Sequence, residues 1–131
     1  MAIWNLFTNN NPKTQTTRVR GQQGEDLACH YLQAQGLKII RRNYYCKGGE
    51  IDIIAQDKDV LVFVEVRMRK NRRYGGALAS VDAAKQQKLR HSAYCYLNQQ
   101  QINPTQLAVR FDIIAIEQAE QIHWLKNAFG E

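Results

Sequence analysis

The spacing of apolar and polar positions changes several times along the chain, and each change marks an element. From Gln22 to Gln35 the apolar residues Leu27, Ala28, Tyr31 and Leu32 follow helical spacing, and Gly36 is placed to cap that helix. Leu37 to Asn43 reads as a strand, and Lys47-Gly48-Gly49 as a turn. Gly49 to Ala55 and Leu61 to Arg67 are two further strand-like segments. Val81 to Leu97 predicts a second amphipathic helix through Ala84, Leu89, Ala93, Tyr96 and Leu97, with Asp82 near its start suited to the helix dipole. Ala108 to Ile116 alternates, with Val109, Phe111 and Ile113 on one face and Ala108, Arg110, Asp112 and Ile114 on the other. Ile122 to Leu125 suits a short edge strand. The order helix, three strands, helix, strand, with a long crossover through the second helix, predicts an α/β domain whose mixed sheet has helices on both faces. Residues 1–20 show no periodicity and read as a flexible N-terminal arm before a domain at 21–131. Trp4, Leu6 and Phe7 are apolar exceptions in that arm, suited to docking on the domain or on a second subunit.

Three carboxylates interrupt the otherwise apolar second and third strands: Glu50, Asp52 and Glu65. A hairpin across Gln56-Asp57-Lys58-Asp59 is expected to set Glu50 opposite Glu65 and Asp52 opposite Phe63. Glu50, Asp52, Glu65 and Arg67 then project from one face. Like charges so close raise one another's pKa and destabilise the fold. A hard divalent cation, Mg²⁺ or Mn²⁺, resolves that conflict through carboxylate oxygens and water, and such sites serve phosphate substrates. The competing reading leaves the acids solvated at strand ends or paired with Arg67 and Arg69.

Composition narrows the class. A chain of 131 residues suits one domain with its own core. No apolar run reaches the roughly 20 residues of a membrane span, and the N-terminus lacks a signal-peptide pattern, so a soluble cytoplasmic protein is expected. Cys29, Cys46 and Cys95 are odd in number and lack Cys-x-x-Cys spacing, which speaks against a disulfide framework or a zinc site. His30, His91 and His123 show no metal-ligand spacing either. The net charge of +6 is concentrated, because Arg67, Arg69, Lys70, Arg72 and Arg73 crowd the end of the acidic strand. Carboxylates bordered by a basic run suit a phosphodiester backbone, with Arg69, Lys70, Arg72 and Arg73 as nucleic-acid contacts. Tyr44 and Tyr45 are candidates for stacking on an unpaired base, with packing as the alternative. No Walker or Gly-x-Gly-x-x-Gly sequence marks a nucleotide pocket.

The order of elements, with Asp52, twelve intervening residues and then Glu65-Val66-Arg67, resembles the PD-(D/E)XK core of the restriction-endonuclease-like nucleases. Gly21-x-x-Gly24-Glu25, Gly49-Glu50-Ile51-Asp52, Phe63-Val64-Glu65-Val66-Arg67-x-Arg69, Tyr74-Gly75-Gly76, Lys85 and Arg110-Phe111-Asp112 together resemble the YraN family of small bacterial proteins over residues 18 to 117. The resemblance implies a restriction-endonuclease-like α-β-β-β-α-β core and metal ligation by Asp52 and Glu65, with the Val66 carbonyl completing the shell. Glu25 matches the helix acid of the junction-resolvase branch, or else simply complements the helix N-terminus, and Glu50 is placed for a second ion or a water. Arg67 stands where the superfamily has lysine; a guanidinium stays protonated and acts as a phosphate fork. Lys85 is the candidate to supply the missing ammonium, so the catalytic set is Asp52, Glu65, Arg67 and Lys85.

The function implied is a metal-dependent nuclease acting on DNA ahead of RNA, structure-selective for branched or junction DNA, with a homodimer as one route to cutting both strands. The alternatives are a non-catalytic nucleic-acid-binding module that keeps the fold, and a partner-binding scaffold docked through the Trp4 and Phe7 arm.

Overall fold

Chain order and sheet order coincide in this protein: five strands lie side by side as β1-β2-β3-β4-β5. The computed structural model describes residues 17–68, 80–117 and 121–130, with side chains from residue 21. Helix α1 (Thr17–Ala34) is followed by β1 (Lys38–Cys46), β2 (Gly49–Asp57) and β3 (Val60–Met68), then by α2 (Ala83–Gln99), β4 (Ala108–Ile116) and β5 (Ile122–Leu125). Neighbouring strands are antiparallel except β3 and β4, which pair in parallel because α2 carries the chain back across the sheet. The mixed sheet with helices on both faces is thus the architecture expected from the sequence.

The element ends follow from local chemistry. Gly36 adopts φ +95° after α1, and the Leu37 N–H bonds back to the Leu32 carbonyl, which closes the helix in a left-handed cap. Asp82 caps α2 by accepting the Lys85 N–H at 2.8 Å. The β1–β2 connection needs only Lys47-Gly48, with Gly48 at φ +97°, since Cys46 pairs with Gly49. Helix α1 begins at Thr17, within the stretch read as an arm, while Trp4, Leu6 and Phe7 lie outside the described residues.

Each helix covers one apolar layer. Ala28 and Leu32 of α1 pack on Ile53, Val62, Val64 and Ile114, all buried. Leu89, Ala93, Tyr96 and Leu97 of α2 pack on Ile54, Phe63, Phe111 and Ile113. Ala84, expected on the packed side of α2, is exposed, because the helix meets the sheet only from its second turn onward.

The expected hairpin register is corrected. Asp57 pairs with Val60 and Ile53 with Val64, so the turn is the two residues Lys58-Asp59 and the pairing is shifted by two positions. The regular ladder ends at Ile53 and Val64, short of the acids. Ile51 packs under α2 and Ile53 under α1, although alternate residues of a regular strand share a face. Strand β2 therefore reverses its faces at Asp52, and the single face expected for Glu50, Asp52, Glu65 and Arg67 is divided there. Asn43 of β1, which the flanking pairs place opposite Asp52, is also irregular, at φ +53°.

Candidate acidic active site

The opening in the sheet is closed by a side chain. Beyond Ile53 and Val64, Asp52 Oδ2 accepts the Val66 backbone N–H at 2.9 Å, taking the place of a ladder partner. This fixes Asp52, a buried carboxylate, between two neighbourhoods.

On the α2 side stands Glu65, also buried. Its Oε2 receives the Arg67 guanidinium at 3.0 Å and Lys85 Nζ at 3.5 Å. Arg67 reaches it from two residues along β3, and Lys85 from the first turn of α2, held there by the Asp82 cap. Burial, and then the charge and hydrogen bond of Asp52, push the Glu65 carboxyl up from 4.5 to about 8, against the pull of Lys85 and Arg67. Two cations do not offset what desolvation and a second acid impose.

On the α1 side stands Glu25. Together with Gly21, Gln22, Asn43, Tyr45 and Glu50 it lines a cleft of about 210 Å³. Burial, followed by the charge of Asp52, raises the Glu25 carboxyl to about 7, while Arg42 and a hydrogen bond from Asn43 act in the opposite sense. Arg42 lies 3.9 Å from Glu25 but 2.7 Å from Asp26, so its charge is chiefly engaged elsewhere. Glu25 Oε1 is buried with no hydrogen-bond partner.

The geometry thus gathers Glu25, Glu50, Asp52, Glu65, Arg67 and Lys85 around the break in β2. It does so without drawing the acids into one tight set: among the described residues, the group of three or more Cys, His, Asp or Glu ligand atoms lying within 4.8 Å of one another is Cys46, His91 and Cys95. Asp52 and Glu65 form a contact pair, while Glu25 feels the charge of Asp52 and shares its cleft with Glu50. Their chemistry fits a hard cation. Carboxylate oxygens are the donors such an ion takes, burial and the charge of Asp52 hold two of the acids back from ionising, and Glu25 Oε1 is buried without a hydrogen bond. Arg69, Lys70, Arg72, Arg73 and Tyr74-Gly75-Gly76 lie outside the described residues.

Two neighbours escaped the sequence reading. Asn43 is a polar residue in a short strand, and only its left-handed backbone reveals why it sits against Glu25. Arg42, which no motif in the sequence singles out, pairs with Asp26 and more distantly with Glu25. Of the two tyrosines, Tyr44 is buried and donates to Gln99 Oε1 at 2.9 Å, so it packs, while Tyr45 stands exposed beside the acidic cleft.

Comparison with known proteins places this arrangement in a family. The profile of the uncharacterised protein family UPF0102 matches residues 24–116, which span both halves of the acidic site. The chain belongs to this family. Its UPF0102 relatives include a protein of Herminiimonas arsenicoxydans, 51% identical over 89% of this chain and 90% of its own length. Another, from Janthinobacterium sp. (strain Marseille), is 50% identical over 89% of this chain and 91% of the relative. A third, from Colwellia psychrerythraea, is 42% identical over 97% of this chain and 99% of the relative. UPF0102 is the YraN family whose local phrases the sequence resembles. No described helix of this UPF0102 protein is long and apolar enough to cross a membrane.

Proposed function

We propose that this UPF0102 protein is a metal-dependent nuclease that hydrolyses phosphodiester bonds in DNA, with a preference for branched structures. The observation that carries the reading is the Asp52–Glu65 pair at the break in the sheet, with Arg67 and Lys85 both directed at one Glu65 oxygen. Buried acids with raised pKa, held against the ends of two cations, mark a site built for charge that arrives with a ligand.

Asp52 and Glu65 are the residues to hold Mg²⁺ or Mn²⁺, joined by Glu25, Glu50 or the Val66 carbonyl. When bound, such an ion polarises a phosphoryl oxygen and lowers the pKa of a water. The protein's own groups do the rest. Arg67 presents two parallel N–H donors to a phosphate and cannot lose its proton, so it offsets the charge that develops on the phosphorane. Lys85 adds an ammonium from a separate element, in the role a lysine at position 67 would otherwise fill. In the metal-free protein Glu25, its carboxyl pushed up to about 7, holds a proton that an arriving cation would displace. Arg69, Lys70, Arg72 and Arg73 grip the backbone and carry register without reading bases, which suits selection by shape.

The test is cleavage of single-stranded, duplex, flap and four-way-junction DNA and RNA with Mg²⁺ or Mn²⁺. Wild-type activity abolished by both Asp52→Ala and Glu65→Ala is the expected result. One observation favours a second reading, a binding module without turnover: Arg67 in place of lysine. That reading gives salt-sensitive binding and no cleavage of any substrate in the panel.

A further inference from the structure

On the face of the sheet that α2 covers, the β1–β2 turn leans against the middle of that helix. A Cβ on Gly48 would lie 3.7 Å from two atoms of the His91 ring, and one on Gly49 would lie 2.5 Å from Ser92 Oγ. This close approach carries Cys46, the last residue of β1, towards His91 and Cys95 on adjacent turns of α2.

We infer that Cys46, His91 and Cys95 form a binding site for a soft divalent cation, Zn²⁺, that ties the β1–β2 turn to α2. Two thiols and an imidazole are a donor set for zinc, and the acids beyond the turn are a donor set for hard ions, so the two sites take different metals. One ligand spacing already matches that of a zinc site. A zinc ion with Zn–S of about 2.3 Å and Zn–N of about 2.0–2.1 Å holds its sulfur and nitrogen ligands about 3.6 Å apart. His91 Nε2 and Cys95 Sγ are 3.6 Å apart, and the three ligand atoms all lie within 4.8 Å of one another.

The bonds these groups make without metal are replaceable. The Cys46 thiol donates to Ser92 Oγ at 3.5 Å, and His91 Nε2 lies 3.0 Å from the Lys47 carbonyl oxygen. The sulfurs are half-buried and the imidazole is exposed, which leaves an entry path and a fourth position for water or the Lys47 carbonyl. A disulfide between Cys46 and Cys95 would leave His91 without a part; a metal uses all three. The bound ion fixes the turn that leads into Glu50 and Asp52 to the helix that carries Lys85.

The test uses the full chain, reduced and freed of metal, then titrated with Zn²⁺ or Co²⁺. One zinc per chain is expected by native mass spectrometry, and Co²⁺ should give a thiolate charge-transfer band with the intense visible absorption of a tetrahedral site. Cys46→Ser and Cys95→Ser should each weaken zinc binding by about 100-fold or more, beyond what loss of an outer-sphere partner costs. Cys29→Ser and Asp52→Asn should leave it unchanged. The inference is overturned if wild-type Co²⁺ protein lacks the thiolate band, which needs no variant to fold. Zinc binding that survives both serine substitutions or is lost in Asp52→Asn overturns it too, as does a Cys46–Cys95 disulfide formed in the presence of equimolar Zn²⁺.

Discussion

Asp52 is the residue on which both halves of the acidic site turn. It is the leading charge acting on Glu65 and on Glu25, from opposite sides of the break in β2. Asp52→Asn should therefore lower the pKa of both glutamates, which a carboxyl-carbon NMR titration of the metal-free protein would show directly. The raised values also set a stability profile. A group whose pKa is higher folded than unfolded stabilises the fold fully below its unfolded value and loses that contribution as pH rises through the folded one. For Glu65 the window runs from 4.5 to about 8, so metal-free protein should lose on the order of a few kcal/mol across it, followed by denaturant unfolding at stepped pH. Glu65→Gln should flatten that slope and abolish Mn²⁺ binding. At this scale the sequence was informative about identity and less so about company. Acids inside apolar strands are conspicuous, and Lys85 is legible as an ammonium supplied by another element. The place of Asn43 and the burial of Glu25 Oε1 without a hydrogen bond depend on backbone angles and packing that no residue pattern encodes.

Elements are positioned by two glycines of opposite consequence. Gly49 lies where any side chain meets Ser92 Oγ, and Ser92 is fully buried, so Gly49→Ala should destabilise the protein by about 1–3 kcal/mol in chemical denaturation. Gly21, inside α1, has open space around its missing Cβ, and Gly21→Ala should stabilise by about 0.5–1 kcal/mol through helix propensity. The pair separates packing from conformational freedom in one fold. Some element limits are legible because they rest on local signals: the strand over Ala108–Ile116, the edge strand over Ile122–Leu125 and the Gly36 cap stand where periodicity and turn residues put them, whereas β1 continues past Asn43 to Cys46 and α1 starts before Gln22, at Thr17. The β2–β3 register is not. A shift of two positions keeps the same side-chain parity, so alternation alone does not separate the two pairings, and the ladder itself stops before it reaches the acids.

Across the whole molecule, the sheet is locked at its far side by Asp112. This fully buried carboxylate accepts two bonds from Arg110, one from the Trp124 indole and one from the Asn127 N–H, each at 2.9 Å, while Arg110 also reaches Asp57 at 3.2 Å. Asp112→Ala leaves Arg110 part-buried with one partner fewer and frees β5, so a loss of about 3–5 kcal/mol is expected in thermal or denaturant unfolding. The Arg110-Phe111-Asp112 phrase singled out in the sequence is thus a brace joining β4, β5 and the β2–β3 turn. With a net charge of +6, the logarithm of any nucleic-acid binding constant should fall linearly with the logarithm of salt concentration, which fluorescence anisotropy would measure. Finally, strands that sit in chain order have a kinetic consequence. Every antiparallel pairing closes a short loop, whereas β3 meets β4 only after the chain has passed through α2 and back. The β1–β2–β3 meander, built of local contacts, should form first and the parallel pairing last, an order that pulse-labelled hydrogen exchange during refolding would read. A nascent chain would then acquire its acidic pair early and its lysine late, with the assembled set of charges appearing only when folding is complete.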